Sequence, residues 1–205
     1  MEPRNNYIAV AGNIGSGKSS LVEFLCKHFK CKPFYEPFAD NPYLADFYKD
    51  MKRYAFHSQM YFLSEKFKML KKINKAKGVV VQDRTVFEDA EIFAKNLHRQ
   101  DLISKRDFAI YQNFYDSILH AISPPRLLIY LKCSVPAIMK RIAKRGRKME
   151  NEIPEDYIRS LAKLYDGWVK RYKQSPVITI PTDKVDYLED FIHKQELLEK
   201  IGKYV

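Results

Sequence analysis

The 205-residue chain predicts an α/β fold in which a five-stranded parallel sheet carries helices on both faces. Two features carry that prediction. Short, β-rich apolar runs alternate with longer stretches of helical periodicity, and a glycine-rich loop joins the first run to the first helical stretch. The runs fall at 7–11, 33–35, 79–82, 127–131 and 177–180. They are short, bounded by polar turns and not strictly alternating, which suits strands buried on both faces of a parallel sheet. Helical patterns occupy 18–29, 55–74, 86–97, 105–121, 136–144, 155–172 and 187–201. No repeat or linker interrupts them. With 46% apolar residues the chain fills one core well, so a single domain over 1–205 is expected.

The charge balance is 36 Lys+Arg against 25 Asp+Glu, which calls for a polyanionic partner: nucleotide phosphate, nucleic acid or an acidic membrane. Cys26, Cys31 and Cys133 form neither a metal-type pair nor a disulfide framework, as in a reducing, cytoplasmic protein. No apolar run approaches the roughly 18 residues of a membrane span, and the first residues lack a charged-then-apolar signal pattern. A membrane partner is therefore not expected.

Gly12-Asn13-Ile14-Gly15-Ser16-Gly17-Lys18-Ser19 matches the full G-x-x-x-x-G-K-[ST] pattern, after a strand and opening a helix. Glycines let the backbone wrap so that its N–H groups and the helix N-terminus meet phosphate oxygens. Lys18 would bridge the β- and γ-phosphates of ATP, Ser19 would hold Mg²⁺, and Ser20 continues the cradle. The fold expectation sharpens to a P-loop kinase.

Two further strands end in acids. Tyr35-Glu36-Pro37 puts a carboxylate at the sheet edge where such folds bind ligands, placed to accept a hydroxyl proton during phosphoryl transfer. The alternative is a surface Glu before a turn-making Pro. Val79-Val80-Val81-Gln82-Asp83-Arg84-Thr85 is an apolar strand ending in an acid that can reach the Mg²⁺ shell, with Arg84 able to steady Glu36 and the reacting oxygen. A solvated Asp–Arg pair is the plainer alternative. The stretch 140–148 has six basic residues in nine, lies between two helical patterns and contains Gly146, features of an Arg-rich lid over about 141–152. Arg141, Arg145 and Arg147 could fork onto phosphate oxygens, with Glu150 beyond them. The lack of interleaved aromatics argues against a single-strand nucleic-acid platform, so no nucleic-acid partner is expected.

In this order the P-loop, Glu36-Pro37, Tyr48-Lys49-Asp50, Gln59, Asp83-Arg84 and the Arg141/Arg145/Arg147/Glu150 group resemble the deoxynucleoside kinase family, from about Tyr7 to Trp168. The likeness is strongest to its bacterial branch acting on purine deoxynucleosides. The resemblance implies Glu36 as general base and Arg84 at the 5′-OH. It implies Tyr48 and Glu150 on the sugar 3′-OH, and Gln59, Phe62 and Phe93 around the base. Arg141 would lie against the ATP base, while Lys18, Arg145 and Arg147 act on the phosphates. It also implies a homodimer inhibited by its triphosphate end product, here dATP. Three positions depart from the family: Thr85 replaces the usual Ser, and Ser58 and Asn41 stand where many relatives carry Phe and Trp.

Asp89 falls one helical turn before Phe93, and Lys66 lies two turns beyond Gln59. In the family, an acid and a basic residue at these places mark members accepting purines or deoxycytidine. Glutamine pairs bidentately with adenine, whereas Lys lacks the fork that grips guanine O6/N7. The expected reaction is phosphorylation of deoxyadenosine to dAMP by ATP. Deoxyguanosine, deoxycytidine or a thymidylate-kinase-like monophosphate acceptor are the alternatives, although the last needs a basic group for the acceptor phosphate. A GTP switch is disfavoured because no Gly follows an Asp by three residues.

Overall fold

The computed structural model describes residues 6–147, 150, 152–183 and 191–205. Five parallel strands, β1 (Tyr7–Gly12), β2 (Lys32–Phe34), β3 (Val80–Asp83), β4 (Leu127–Lys132) and β5 (Val177–Pro181), lie in the order β2-β3-β1-β4-β5. The central strand β1 is buried at every position. Its alternating side chains serve two cores. Ile8 and Val10 pack with Leu21, Leu25 and Leu198, from α1 (Lys18–Phe29) and α9 (Phe191–Gly202). Tyr7, Ala9 and Ala11 face the larger core. That core is built by α2 (Leu44–Lys49), α3 (Met51–Lys75), α4 (Val86–Glu88), α5 (Lys95–Arg99), α6 (Lys105–Leu119), α7 (Val135–Arg145) and α8 (Glu155–Arg171).

Burial on both faces holds for β1, β3 and most of β4, but not for the two outer strands. Lys32 and Pro33 are exposed, and β5 is only partly covered. Both strands are edges, where a proline with no ladder donor is tolerated. Three differences concern helices. The six-residue α2 was not expected, since one turn and a half leaves no periodic signal. The helix expected over 86–97 contains a π-helical segment, Asp89–Ala94, between α4 and α5. Most of the basic stretch expected between helices belongs to α7, which runs to Arg145 and ends at Gly146 in the left-handed region, φ 64°. Positions 148, 149 and 151 of the expected lid, and 187–190 of the last expected helix, lie outside the described residues.

Register aligns Val10 with Asp83 and Gly12 with Leu131. The carboxyl ends of β1 and β3 are thus level, at the point where the chain changes direction across the sheet and parallel α/β folds bind ligands. No helix among the described residues is long and apolar enough to cross a membrane.

Candidate active site

The loop after β1 is a glycine-built cradle. Gly12 has φ 151°, and a Cβ there would lie 2.7 Å from Ser16 Oγ and 3.0 Å from the Leu131 carbonyl, so no larger residue fits. Gly17 takes φ 96° at the start of α1, which no side chain caps, and its first-turn N–H groups are therefore available to an anion. Asn13 ties the loop to α8 by donating to the Ile158 carbonyl at 3.0 Å, and its own Oδ1 receives the Ile14 N–H at 2.8 Å. Lys18 is buried and donates to the Asn13 carbonyl at 2.9 Å. Burial, then the nearby Arg84 cation, pulls its ammonium down to about 8 against the attraction of Asp83, Glu36 and Glu88.

Ser19 Oγ donates to Asp83 Oδ2 at 2.6 Å, while the buried Asp83 Oδ1 has no partner. A hydroxyl beside a half-satisfied carboxylate suits Mg²⁺, which is commonly held by one or two protein oxygens plus substrate phosphates. No group of three or more His, Cys, Asp or Glu among the described residues could hold a metal.

In front of the loop lies a cavity of about 300 Å³ whose walls include Lys18, Ser19, Glu36, Tyr48, Gln59, Phe62, Asp83, Arg84, Asp89, Phe93, Arg145, Arg147 and Glu150. The chain thus brings together side chains separated by more than a hundred residues in sequence. Glu36 sits between two cations, 3.1 Å from Arg84 Nε and 3.6 Å from Lys66 Nζ. Burial pushes its carboxyl up, but Arg84, Lys66 and Lys18 together outweigh that and hold it below the ordinary carboxylate range. Arg84 has φ 61°, a left-handed backbone uncommon for a non-glycine residue. Its amide donates to Val10 at 3.0 Å, and its guanidinium lies 4.2 Å over the Phe93 ring.

Part of the cavity wall is polar and unsatisfied. Gln59 Oε1 and Asp89 Oδ2 are buried without partners. Burial raises the Asp89 carboxyl to about 7, with Glu36 and Glu88 adding to the effect and Lys66 and Arg84 opposing it. Asn41 donates to Ser58 Oγ at 3.0 Å, so the two departures from the family form a small polar pair beside Gln59. Tyr48 keeps its proton, because burial and the Glu150 charge both raise it.

Several expected residues stand elsewhere. Lys66 does not line the cavity. It is 0% exposed and donates to the carbonyls of Asp83 at 3.2 Å and Arg84 at 2.8 Å, and no ion pair joins it to Asp89. Reach explains the difference: from α3 its stem ends beneath the last peptides of β3, where open carbonyls accept. Arg141 also lies off the cavity wall, donating to Ser16 O, Thr182 Oγ1 and Thr182 O. Ser20 is exposed in the first turn of α1, and Gly12, Asn13 and Ser16 support the cradle from behind the wall. Arg145 and Arg147 both pair with Glu150, the latter at 3.3 Å, and the Arg147 guanidinium rests 4.0 Å over Phe38.

Sequence reasoning missed Phe38, Leu44, Phe47 and Tyr157, which also line the wall, and the fully buried Glu88. Phe38 and Tyr157 carry no motif. Glu88 had one, since Thr85-x-x-Glu88 is a capping-box pattern, and both reciprocal bonds are present.

The chain matches the family description "Deoxynucleoside kinase" over residues 8–205. It is 35% identical to a deoxyadenosine/deoxycytidine kinase of Bacillus subtilis, over 99% of this chain and 94% of that one. It is equally 35% identical to a deoxyguanosine kinase of Lactobacillus johnsonii, over 95% and 90% of the two chains. The solved structure of deoxyadenosine kinase from M. mycoides with bound dATP superposes with TM-score 0.84 at 30% identity, covering 96% of this chain and 99% of that one. A glycine cradle, a carboxylate flanked by cations and a partly polar cavity thus coincide with likeness along nearly the whole sequence, and the chain belongs to the deoxynucleoside kinase family.

Proposed function

We propose that this deoxynucleoside kinase transfers the γ-phosphate of ATP to the 5′-OH of a purine deoxynucleoside, converting deoxyadenosine to dAMP within a single kinase domain. The observation that carries the choice of base is the pair of buried, unpartnered acceptors, Gln59 Oε1 and Asp89 Oδ2, on residues that line the cavity. Two acceptors suit an exocyclic amine, as adenine and cytosine carry. At the corresponding edge guanine carries O6 in place of an amine, and the Lys66 ammonium, off the cavity wall, already donates to Asp83 and Arg84.

Glu36 accepts the 5′-OH proton. Its lowered carboxyl keeps it ionised, and Arg84 fixes its direction. Tyr48 and Glu150 take the sugar 3′-OH, Phe62 and Phe93 flank the base, and Arg141 lies against the base of ATP. Lys18 leaves the Asn13 carbonyl for the phosphates. Arg145 and Arg147 exchange Glu150 for the oxygens of the transferring group as a lid over about 141–152 closes. Ser19 and Asp83 would hold Mg²⁺, which when bound neutralises phosphate charge. The three free cysteines fit a cytosolic enzyme, and exposed Ile110 and Phe114 on α6 fit a homodimer. Inhibition by dATP accords with the triphosphate bound in the M. mycoides structure.

Release of ADP with deoxyadenosine, deoxyguanosine, deoxycytidine, thymidine and thymidine monophosphate tests the assignment. The highest kcat/KM is expected with deoxyadenosine; a higher value with deoxycytidine or deoxyguanosine would replace it by the corresponding member of the same family.

A further inference from the structure

We infer that Glu88 is a positioning residue that holds the root of the phosphate cradle and the Arg84 turn in fixed relation, so that donor phosphate and acceptor hydroxyl are aligned by one buried carboxylate. Glu88 is 0% exposed. Its Oε1 receives the Gly12 N–H at 3.1 Å and the Tyr165 hydroxyl at 2.8 Å. Its Oε2 receives the Thr85 N–H at 2.7 Å and the Thr85 hydroxyl at 3.1 Å. Each oxygen thus takes two donors, and the charge is satisfied without an ion pair of its own.

The donors come from three places that must cooperate in phosphoryl transfer. Gly12 is the first residue of the cradle, wedged against Leu131 and Ser16 where no Cβ fits. Thr85 follows Arg84, whose left-handed backbone is gripped on one side by Val10 and on the other by the Glu88–Thr85 bond. Tyr165 belongs to α8, the helix after the Arg145–Glu150 segment, and the same helix holds Asn13 through Ile158. A carboxylate is needed for this task because all four partners donate. A glutamine would turn its NH₂ toward a backbone N–H in either orientation, that of Gly12 or that of Thr85, and lose that bond, because only the neighbouring hydroxyl can turn to accept. This role rests on the cradle binding the donor's phosphates, but not on which base is accepted.

The test uses the full chain with whichever deoxynucleoside the wild type phosphorylates best. In Glu88→Gln, kcat should fall and KM for ATP should rise, each by about 10–100-fold, for a buried backbone N–H left unpaired. The deoxynucleoside Kd should stay within about threefold, since Glu88 does not line the cavity. Tyr165→Phe removes one donor and keeps the ring; it should raise KM for ATP by about tenfold with the deoxynucleoside Kd unchanged. A lower Tm with kcat and KM for ATP within twofold of wild type in Tyr165→Phe, or in folded Glu88→Gln, would reduce Glu88 to a helix cap and overturn the role. Absence of any wild-type activity would instead strike the choice of substrate.

Discussion

Glu36 is defined by its neighbours. Burial would protonate it, but two cations within 4 Å, Arg84 and Lys66, keep it ionised. If it takes the 5′-OH proton, Glu36→Gln should lower kcat by roughly 10²–10⁴-fold while ATP binding, measured by titration calorimetry, is unchanged. Near-normal turnover would remove it from the chemistry. Lys66 makes a different prediction from the one its place in the family implies. It supports the Asp83 and Arg84 carbonyls and faces Glu36, so Lys66→Met should depress kcat for all deoxynucleosides alike, by about 10-fold or more. A changed preference between deoxyadenosine and deoxycytidine at constant kcat would restore it to the base pocket.

Asp89 links stability to pH. Folding raises its carboxyl from 3.8 to about 7, so the protonated form is the one the folded protein favours. The stability this group contributes is complete below 3.8 and is lost as pH climbs through about 7. Urea midpoints at pH 5 and pH 8 should therefore converge in Asp89→Asn relative to wild type. An unaltered difference would mean that other groups carry the pH dependence.

The strands and the P-loop were legible because each is announced locally: an apolar run between polar turns, or glycines at fixed spacing. What the residue types do not announce depends on distant partners. The π-helical segment Asp89–Ala94 has no sequence marker, yet it carries both Asp89 and Phe93 to the cavity. Glu88 takes meaning only when Gly12 and Tyr165 arrive from 76 and 77 residues away. Lys66 lies on α3 as its place in the sequence predicts, and its ammonium meets the Asp83 and Arg84 carbonyls, since helix-face geometry fixes a direction and not the partner a long side chain finds. The end of α7 is another such case. Arg145 and Arg147 both rest on Glu150, a partner that the basic run itself does not announce. Arg→Lys at either position keeps the charge and loses the fork, so kcat should fall by about 10-fold or more while deoxynucleoside affinity holds. Unchanged kcat in both single variants would make the segment a solvated basic loop.

Across the whole molecule, the sheet order sets where chemistry happens. With β1 between β3 and β4, the ends of β1 and β3 bring Gly12, Lys18, Asp83 and Arg84 to one edge, and β2 delivers Glu36 beside them. Gln59 from α3 and Asp89 from the π-helical segment reach the wall of the same cavity. In the proposed mechanism Glu36 and Arg84 serve phosphoryl transfer while Gln59 and Asp89 serve base choice, so the two should be separable by mutation. Asp89→Ala tests this directly, through the ratio of kcat/KM for deoxyadenosine to that for thymidine. Loss of a buried acceptor for the adenine amine costs on the order of 1–3 kcal/mol, so the ratio should fall by about one to two decades while the protein stays folded. A ratio equal to that of wild type, with both activities intact or both reduced alike, would contradict the purine pocket proposed for this kinase.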